Sequence, residues 1–217
     1  MADQRTGPAP RNRSETVYWT LRNEITDGVL RPNAPLVEDE IAVRLGVSRT
    51  PVRESLHRLA ADGLIDSHRR RWLVHEHTRD EIVQIYEVRA GLESHAARLA
   101  ALRATDPQRA EIEGWRRRMT DTDPTVLSER ANTNDLFHDA ISGAGGNPRL
   151  LAEIRANRLF HFNRRIAALY SDADLDTSSR QHAELITVVC AGDADRAADI
   201  AREHVEFSLQ LILRKLF

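Results

Sequence analysis

The sequence predicts a mainly α-helical protein. Three observations support this prediction. Apolar residues recur at three- and four-residue steps through most of the chain, two short strand-like segments occur together between residues 64 and 74, and strands and helices do not alternate as they do around a parallel sheet. A length of 217 residues with 41% hydrophobic residues is sufficient for one or two packed domains.

The first predicted helix starts at Ser14, a residue type that favours the N-cap position. Its apolar face consists of residues at helical spacing, namely Val17, Tyr18, Leu21, Ile25 and Val29. The two prolines in residues 31–35 should stop this helix. A second helix is predicted from about Glu38 to Leu45, with three carboxylates in its first turn and Gly46 placed to end it.

A third helix and a hairpin complete the N-terminal region. Ser48 can cap the helix, which should end at Asp62-Gly63. Residues 64–67 and 72–74 are predicted to be short strands around the basic turn 68–71. Three helices followed by a hairpin form a winged helix-turn-helix.

From about Thr78 the pattern is continuously helical, and we expect six helices as far as Phe217. Their starts are indicated by residues that favour helix N-termini: Asp106-Pro107, Asp123-Pro124, Asn147-Pro148, Ser178 or Ser179, and Asp193. The predicted organisation is a flexible arm over residues 1–13, a winged helix-turn-helix domain over 14–77 and an all-helical domain over 78–217 that binds an effector and dimerises.

The composition argues against several protein classes. There are 31 Lys+Arg and 33 Asp+Glu, so the net charge of −2 does not suit a protein that compacts DNA non-specifically. Cys190 is the single cysteine, which excludes an internal disulfide and a CxxC motif. Every apolar run is far shorter than the ~20 residues of a membrane span. We therefore expect a cytoplasmic protein with no membrane partner.

Basic charge is nevertheless concentrated in one region. Residues 44–71 contain seven arginines and three carboxylates, in a chain whose total charge is slightly negative. A local basic surface on a near-neutral protein indicates a specific polyanion partner.

Residues 45–56, LGVSRTPVRESL, have the features of a DNA-recognition helix. Such a helix needs a tight turn before it, free N–H groups at its N-terminus and long donors on its first turns. These features are supplied in order by Gly46, Ser48, Arg49, Thr50 and Arg53. Arg49 and Arg53 are four residues apart and share one helical face, and arginine is the residue that pairs with guanine through two hydrogen bonds.

At these residues the sequence closely resembles the GntR family of bacterial transcription regulators, in the branch with an all-helical FCD effector domain. The phrases LGVSRTPVRESLHRLAADGLI and PNAPLVEDEIAVR carry the resemblance, which covers about residues 14–217. It implies double-stranded operator DNA as the partner. The implied DNA contacts are Ser48, Arg49, Thr50 and Arg53 in the helix, with Arg69, Arg70 and Arg71 in the wing.

Two positions depart from the family pattern. Asp39 occupies a position that is often basic in the family, which puts a DNA contact from the second helix in doubt. Arg71 occupies a wing position that usually holds glycine, so the wing turn should differ and its contact with DNA should be stronger.

Three histidines of the helical domain are candidate metal ligands. His138, His182 and His204 come from three predicted helices, and convergence of their imidazoles would suit zinc or nickel. Spacing alone favours three separate structural histidines. The family resemblance favours a metal site, because FCD domains commonly hold a divalent metal with an Asp-x-x-x-His pair and two later histidines. Asn134 stands here in place of the frequent aspartate and would weaken binding because it adds no negative charge.

Arg89 is a candidate effector-binding residue. Residues 86–93, YEVRAGLE, resemble the first helix of the FCD domain, whose arginine commonly faces the effector. The alternative is that Arg89 forms a surface ion pair with Glu93, four residues further along the helix.

The sequence therefore predicts a ligand-responsive transcription regulator, a repressor that binds a palindromic operator as a homodimer and responds to a small organic acid. The alternative from another class is a metal-dependent hydrolase that uses the three histidines. An enzyme would need a general base beside the metal, and it would leave the basic recognition helix unexplained. No HExxH, GxSxG or phosphate-binding glycine motif is present.

Overall fold

The computed structural model describes residues 13–26, 28–68, 71–123, 125–158 and 167–217. The chain divides between Glu76 and His77 into two compact units, which we call the N-terminal and C-terminal units. The predicted flexible arm lies outside the described residues, except for Arg13, which is the first residue of a helix.

The N-terminal unit has three helices and three short strands among its described residues. In chain order they are α1 (Arg13–Thr26), β1 (Pro35–Leu36), α2 (Glu38–Leu45), α3 (Arg49–Ala61), β2 (Ile65–His68) and β3 (Arg71–Val74). The strands form one antiparallel sheet in the order β1-β3-β2, with Leu36 opposite Trp72 and Ile65 opposite Val74. This arrangement confirms the predicted winged helix-turn-helix.

The core of this unit is formed mainly by α1 and α3. Val52, Leu56 and Leu59 of α3 are completely buried, together with Leu21 of α1. The prediction that Val29 extends the buried face of α1 was wrong, because the helix ends at Thr26 and Val29 is 70% exposed. Gly28 adopts a φ of 75°, a left-handed conformation that turns the chain out of the helix.

The C-terminal unit contains six helices among its described residues, as the sequence predicts. They are α4 (Arg79–Arg103), α5 (Asp106–Asp121), α6 (Leu127–Ala144), α7 (Pro148–Asn157), α8 (Asp172–Ala191) and α9 (Ala194–Leu216). The most extensive helix pair is α4 with α9. None of the described helices is long and apolar enough to cross a membrane.

Two predicted helix starts were wrong. Helix α8 begins at Asp172, because Ser171 accepts a hydrogen bond from the backbone N–H of Asp174 and forms a capping box with it. Ser178 and Ser179 lie inside this helix. Asp123 instead accepts a hydrogen bond from the Thr125 backbone N–H at 2.8 Å, and α6 begins only at Leu127.

Apolar side chains from five helices fill the main core of the C-terminal unit. Phe137 of α6 and Val189 of α8 are completely buried there, beside Ala97 and Ala100 of α4. The small residues of α4 allow a close approach of the turn that follows α6. A Cβ atom added to Gly145 would lie 3.0 Å from Leu99 Cβ and 3.3 Å from the Ala96 carbonyl oxygen.

This close approach predicts opposite effects for two neighbouring glycines. Gly145→Ala should lower the free energy of unfolding by about 1–3 kcal/mol, because the added methyl group meets the α4 backbone. Gly143→Ala is the control: its added Cβ has open space, so stability should stay the same or rise by up to about 1 kcal/mol. Urea unfolding measures both, and equal shifts would contradict the close approach.

Candidate nucleic-acid interface and metal centre

The recognition helix α3 exposes its predicted DNA contacts. The side chains of Arg49 and Arg53 are 58% and 57% exposed, whereas Val52 and Leu56 of the same helix are completely buried. Gly46 has a φ of 64° and ends α2, so the turn before α3 is as tight as predicted. Ser48 and Thr50 are also exposed at the start of the helix.

Both arginines contact carboxylates of α2. Arg53 donates hydrogen bonds to Glu38 from Nε at 3.2 Å and from Nη2 at 2.9 Å. Arg49 forms an ion pair through Nε with Asp39 Oδ1 at 3.0 Å, and its Nη2 lies 3.6 Å from Glu38. The hydrogen bond from Arg53 holds the pKa of Glu38 below its usual range, although burial acts in the opposite direction. Sequence reasoning identified the arginines but missed that these two acids face them.

The wing is described only in part. Arg71 is exposed at the start of β3 and pairs in the sheet with His68. Arg69 and Arg70 lie outside the described residues. Their predicted DNA contacts therefore remain predictions from the sequence.

A cavity of about 200 Å³ lies within the C-terminal unit. All five residues predicted for the metal and the effector line it: Arg89, Asn134, His138, His182 and His204. They come from α4, α6, α8 and α9. The structure thus brings together residues that are distant along the chain.

The three histidines are buried side by side. Their candidate ligand atoms all lie within 4.8 Å of one another, and each residue is less than 9% exposed. The Nε2 atoms of His182 and His204 are 3.2 Å apart. Phe137 packs against the rings of His138 and His182, with ring centroids 5.2 and 4.9 Å apart, and so limits their movement.

Two further residues lie beside these rings. Gln181 Oε1 lies 3.0 Å from His204 Nδ1, which lets Nδ1–H donate to the amide and leaves the Nε2 lone pair facing the cluster. Glu93 Oε2 lies 3.8 Å from His138 Nδ1. Sequence reasoning considered Glu93 only as an ion-pair partner of Arg89 and did not include Gln181, because both residues reach the histidines through tertiary contacts.

Burial decides the protonation state of the cluster. Desolvation lowers the pKa of His204 to about 4, against a partial opposing effect from Glu93. Burial, reinforced by the neighbouring imidazoles, also puts the pKa values of His138 and His182 well below the ordinary range. All three rings are therefore neutral near pH 7, which is the form that binds a metal ion.

The donor set fits a divalent metal such as zinc. Two nitrogens bound to one tetrahedral zinc at ~2.0–2.1 Å lie about 3.3–3.4 Å apart, close to the 3.2 Å between His182 and His204. The side-chain oxygen of Asn134, one helical turn before His138, could serve as a further ligand from the cavity wall. The predicted metal site is thus compatible with the geometry of the three histidines.

Arg89 forms an ion pair with Glu93, as the alternative interpretation of this residue expected, but the pair is not on the surface. Arg89 Nε lies 2.9 Å from Glu93 Oε1, and the two side chains are only 11% and 6% exposed. Burial raises the pKa of Glu93, but Arg89 and Arg158 outweigh it and hold the pKa below its usual range. Arg89 also lines the cavity, so the ion pair and a role in binding an anion are compatible.

Two family models match the chain. Residues 13–72 match the model described as bacterial regulatory proteins, gntR family, and residues 84–207 match the FCD domain. The chain belongs to the GntR family, in the branch with an FCD domain. A GntR-family protein of this branch is a DNA-binding transcription regulator, and the hydrolase alternative is therefore not supported.

Curated relatives of this GntR-family protein span most of its length. It is 31% identical over 191 residues to the "Probable D-xylose utilization operon transcriptional repressor" of Paenarthrobacter nicotinovorans, which covers 84% of this chain and 80% of the relative. It is 27% identical over 186 residues to the "Nta operon transcriptional regulator" of Aminobacter aminovorans, covering 84% and 86%.

Solved structures share the fold of this family member. The E. coli protein McbR/YncC has a TM-score of 0.76 at 22% identity, covering 95% of this chain and all of that one. A GntR transcriptional regulator from Rhodococcus sp. RHA1 has a TM-score of 0.73 at 23% identity, covering 94% and 99%.

The buried histidines predict how the stability of the metal-free protein depends on pH. Below about pH 6.5 the unfolded chain binds protons at its histidines, whereas the folded chain resists protonation of His204 down to about 4. The free energy of unfolding of EDTA-treated protein should therefore fall as the pH decreases from about 6.5 to 4.

His204→Asn is the matched variant, because it keeps a buried polar group that does not titrate. Its free energy of unfolding should depend less steeply on pH over the same interval. Denaturant titrations at fixed ionic strength measure both proteins, and identical slopes would contradict a neutral, buried His204.

Proposed function

We propose that this protein is a transcriptional repressor that binds a palindromic operator as a homodimer and is controlled by a small organic acid. One observation carries the proposal: the chain combines a recognition helix that exposes two arginines with a cavity lined by three buried histidines and Arg89. The first relative is itself named a transcriptional repressor. Operator DNA lies in the bacterial cytoplasm, so we place the protein there.

The N-terminal unit supplies the DNA contacts of this proposal. Arg49 reads a guanine, Arg53 supports binding from the next turn, and Ser48 and Thr50 meet phosphates at the helix N-terminus. Arg69, Arg70 and Arg71 contact the backbone from the wing. A homodimer follows from geometry, because one recognition helix covers few base pairs and a two-fold symmetric protein matches a palindrome.

The C-terminal unit supplies the effector site. His138, His182 and His204, with Asn134, hold a divalent metal, zinc or nickel. A metal bound there would supply a Lewis acid that attracts a carboxylate. Arg89 donates from Nε to Glu93 and is also hydrogen-bonded to Tyr86, and its remaining guanidinium N–H groups meet the same carboxylate. The effector changes DNA affinity because it binds two states of the protein unequally.

We expect Arg49→Ala and Arg53→Ala each to lower operator affinity about tenfold to hundredfold, because each loses a contact worth ~1–3 kcal/mol. Arg117→Ala is the control. Its side chain is 89% exposed on α5 of the other unit, so it removes the same charge away from the recognition helix. Titrations at one fixed salt concentration test this, and wild-type affinity in either recognition-helix variant would refute that residue's role.

The metal and the effector response should change together in two further variants. Asn134→Asp should tighten metal binding because it adds a negative charge to the ligand set, and His182→Ala should weaken both metal binding and the DNA response to carboxylic acids. His95→Ala, an exposed histidine of α4, is the control. Metal analysis of protein purified without a histidine tag measures binding. A lack of bound metal, with no thermal shift on adding zinc or nickel, would remove the metal from the proposal.

A further inference from the structure

The two arginines of the recognition helix are held differently by α2. Arg53 donates hydrogen bonds to Glu38 from both Nε and Nη2, and the Glu38 side chain is only 17% exposed. Arg49 forms an ion pair with Asp39 through Nε at 3.0 Å and lies 3.6 Å from Glu38 through Nη2, and the Asp39 side chain is 65% exposed. The Asp39–Arg49 pair is thus an open, surface interaction on the side of the unit that carries the recognition helix.

Such a pair contributes little to the stability of the fold. Exposed ion pairs lose most of their Coulomb attraction to water and to salt. A negative charge on a DNA-binding surface also repels phosphates, which lowers affinity for DNA of any sequence. Asp39 therefore carries a penalty for DNA binding that fold stability does not offset.

We propose that Asp39 positions Arg49 for guanine and thereby determines the sequence specificity of the recognition helix. This proposal rests on the base-reading role of Arg49 proposed above. Asp39 engages the guanidinium at Nε, the end nearest the backbone. Glu38 lies 3.6 Å from Nη2, beyond hydrogen-bond distance, so both terminal nitrogens keep N–H donors for O6 and N7 of guanine.

Two physical effects allow Asp39 to position Arg49 when DNA is bound. Arg49 has a long side chain with many rotamers, and an ion pair that restricts them lowers the entropy lost on binding. DNA also displaces water from the pair, which strengthens the attraction between the two charges. Arg53 cannot take this role without leaving Glu38, because Nε and Nη2 are both engaged.

Selection from a randomised double-stranded DNA library tests the proposal with the full chain. Arg49→Ala identifies the base pair that Arg49 reads. Asp39→Asn removes the carboxylate charge but keeps the size of the side chain, and it should lower the guanine preference at that same base pair about threefold to tenfold. Asp39→Glu, which keeps the carboxylate, should retain part of this preference.

Glu40→Gln is the matched control, because Glu40 is exposed on the same helix and loses the same charge. It should raise affinity for all sequences alike and leave the guanine preference unchanged. Equal effects of Asp39→Asn and Glu40→Gln on the preference would overturn the proposal, since Asp39 would then act only through its charge.

Two other outcomes separate this proposal from the function it rests on. If Arg49→Ala changes no base preference, the base-reading role of Arg49 is wrong, and the positioning role of Asp39 is overturned with it. If Arg49→Ala and Asp39→Asn change different base pairs, Asp39 reads a base itself and positioning is overturned, whereas the role of Arg49 stands.

Discussion

Burying three imidazole rings side by side is the constraint on which the C-terminal unit depends. A buried polar group destabilises the fold unless it finds a partner, so each ring needs one. His204 has Gln181, and the Nε2 atoms of His182 and His204 face each other at 3.2 Å. Glu93 stands beside His138 and is in turn neutralised by Arg89. The polar groups of four helices therefore compensate one another around one cavity.

In the N-terminal unit, by contrast, the charged side chains of the recognition helix are exposed to solvent. Its recognition-helix arginines are more than half exposed, and one partner, Asp39, is exposed as well. Removing a partner from a buried pair leaves an uncompensated charge, whereas an exposed pair exchanges partners at small free-energy change. The buried pair of Arg89 and Glu93 can hold a fixed geometry for a ligand. The pairs of α3 leave the arginine side chains accessible to DNA.

An element boundary predicted from the sequence agrees with the structure where the interaction that sets it lies between residues close together along the chain. Gly46 ends α2 as predicted because a positive φ is a property of the residue itself. The start of α8 was misplaced because Ser178 has the chemistry of a cap, and the capping box of Ser171 had been overlooked. Strand β1 was missed because two residues carry no periodicity, and its pairing with β3 comes from distant sequence.

The sequence by itself determined the fold class and the recognition helix, because helical periodicity and motif spacing are encoded in neighbouring residues. Its resemblance to FCD domains, rather than residue spacing, predicted five of the residues that line the cavity. Only the tertiary structure decided that His182 and His204, 22 residues apart along the chain, face each other, and that Glu93 joins them from α4. It also placed Asp39 against Arg49. These contacts depend on how helices pack through their buried faces, and no local pattern of residues predicts that packing.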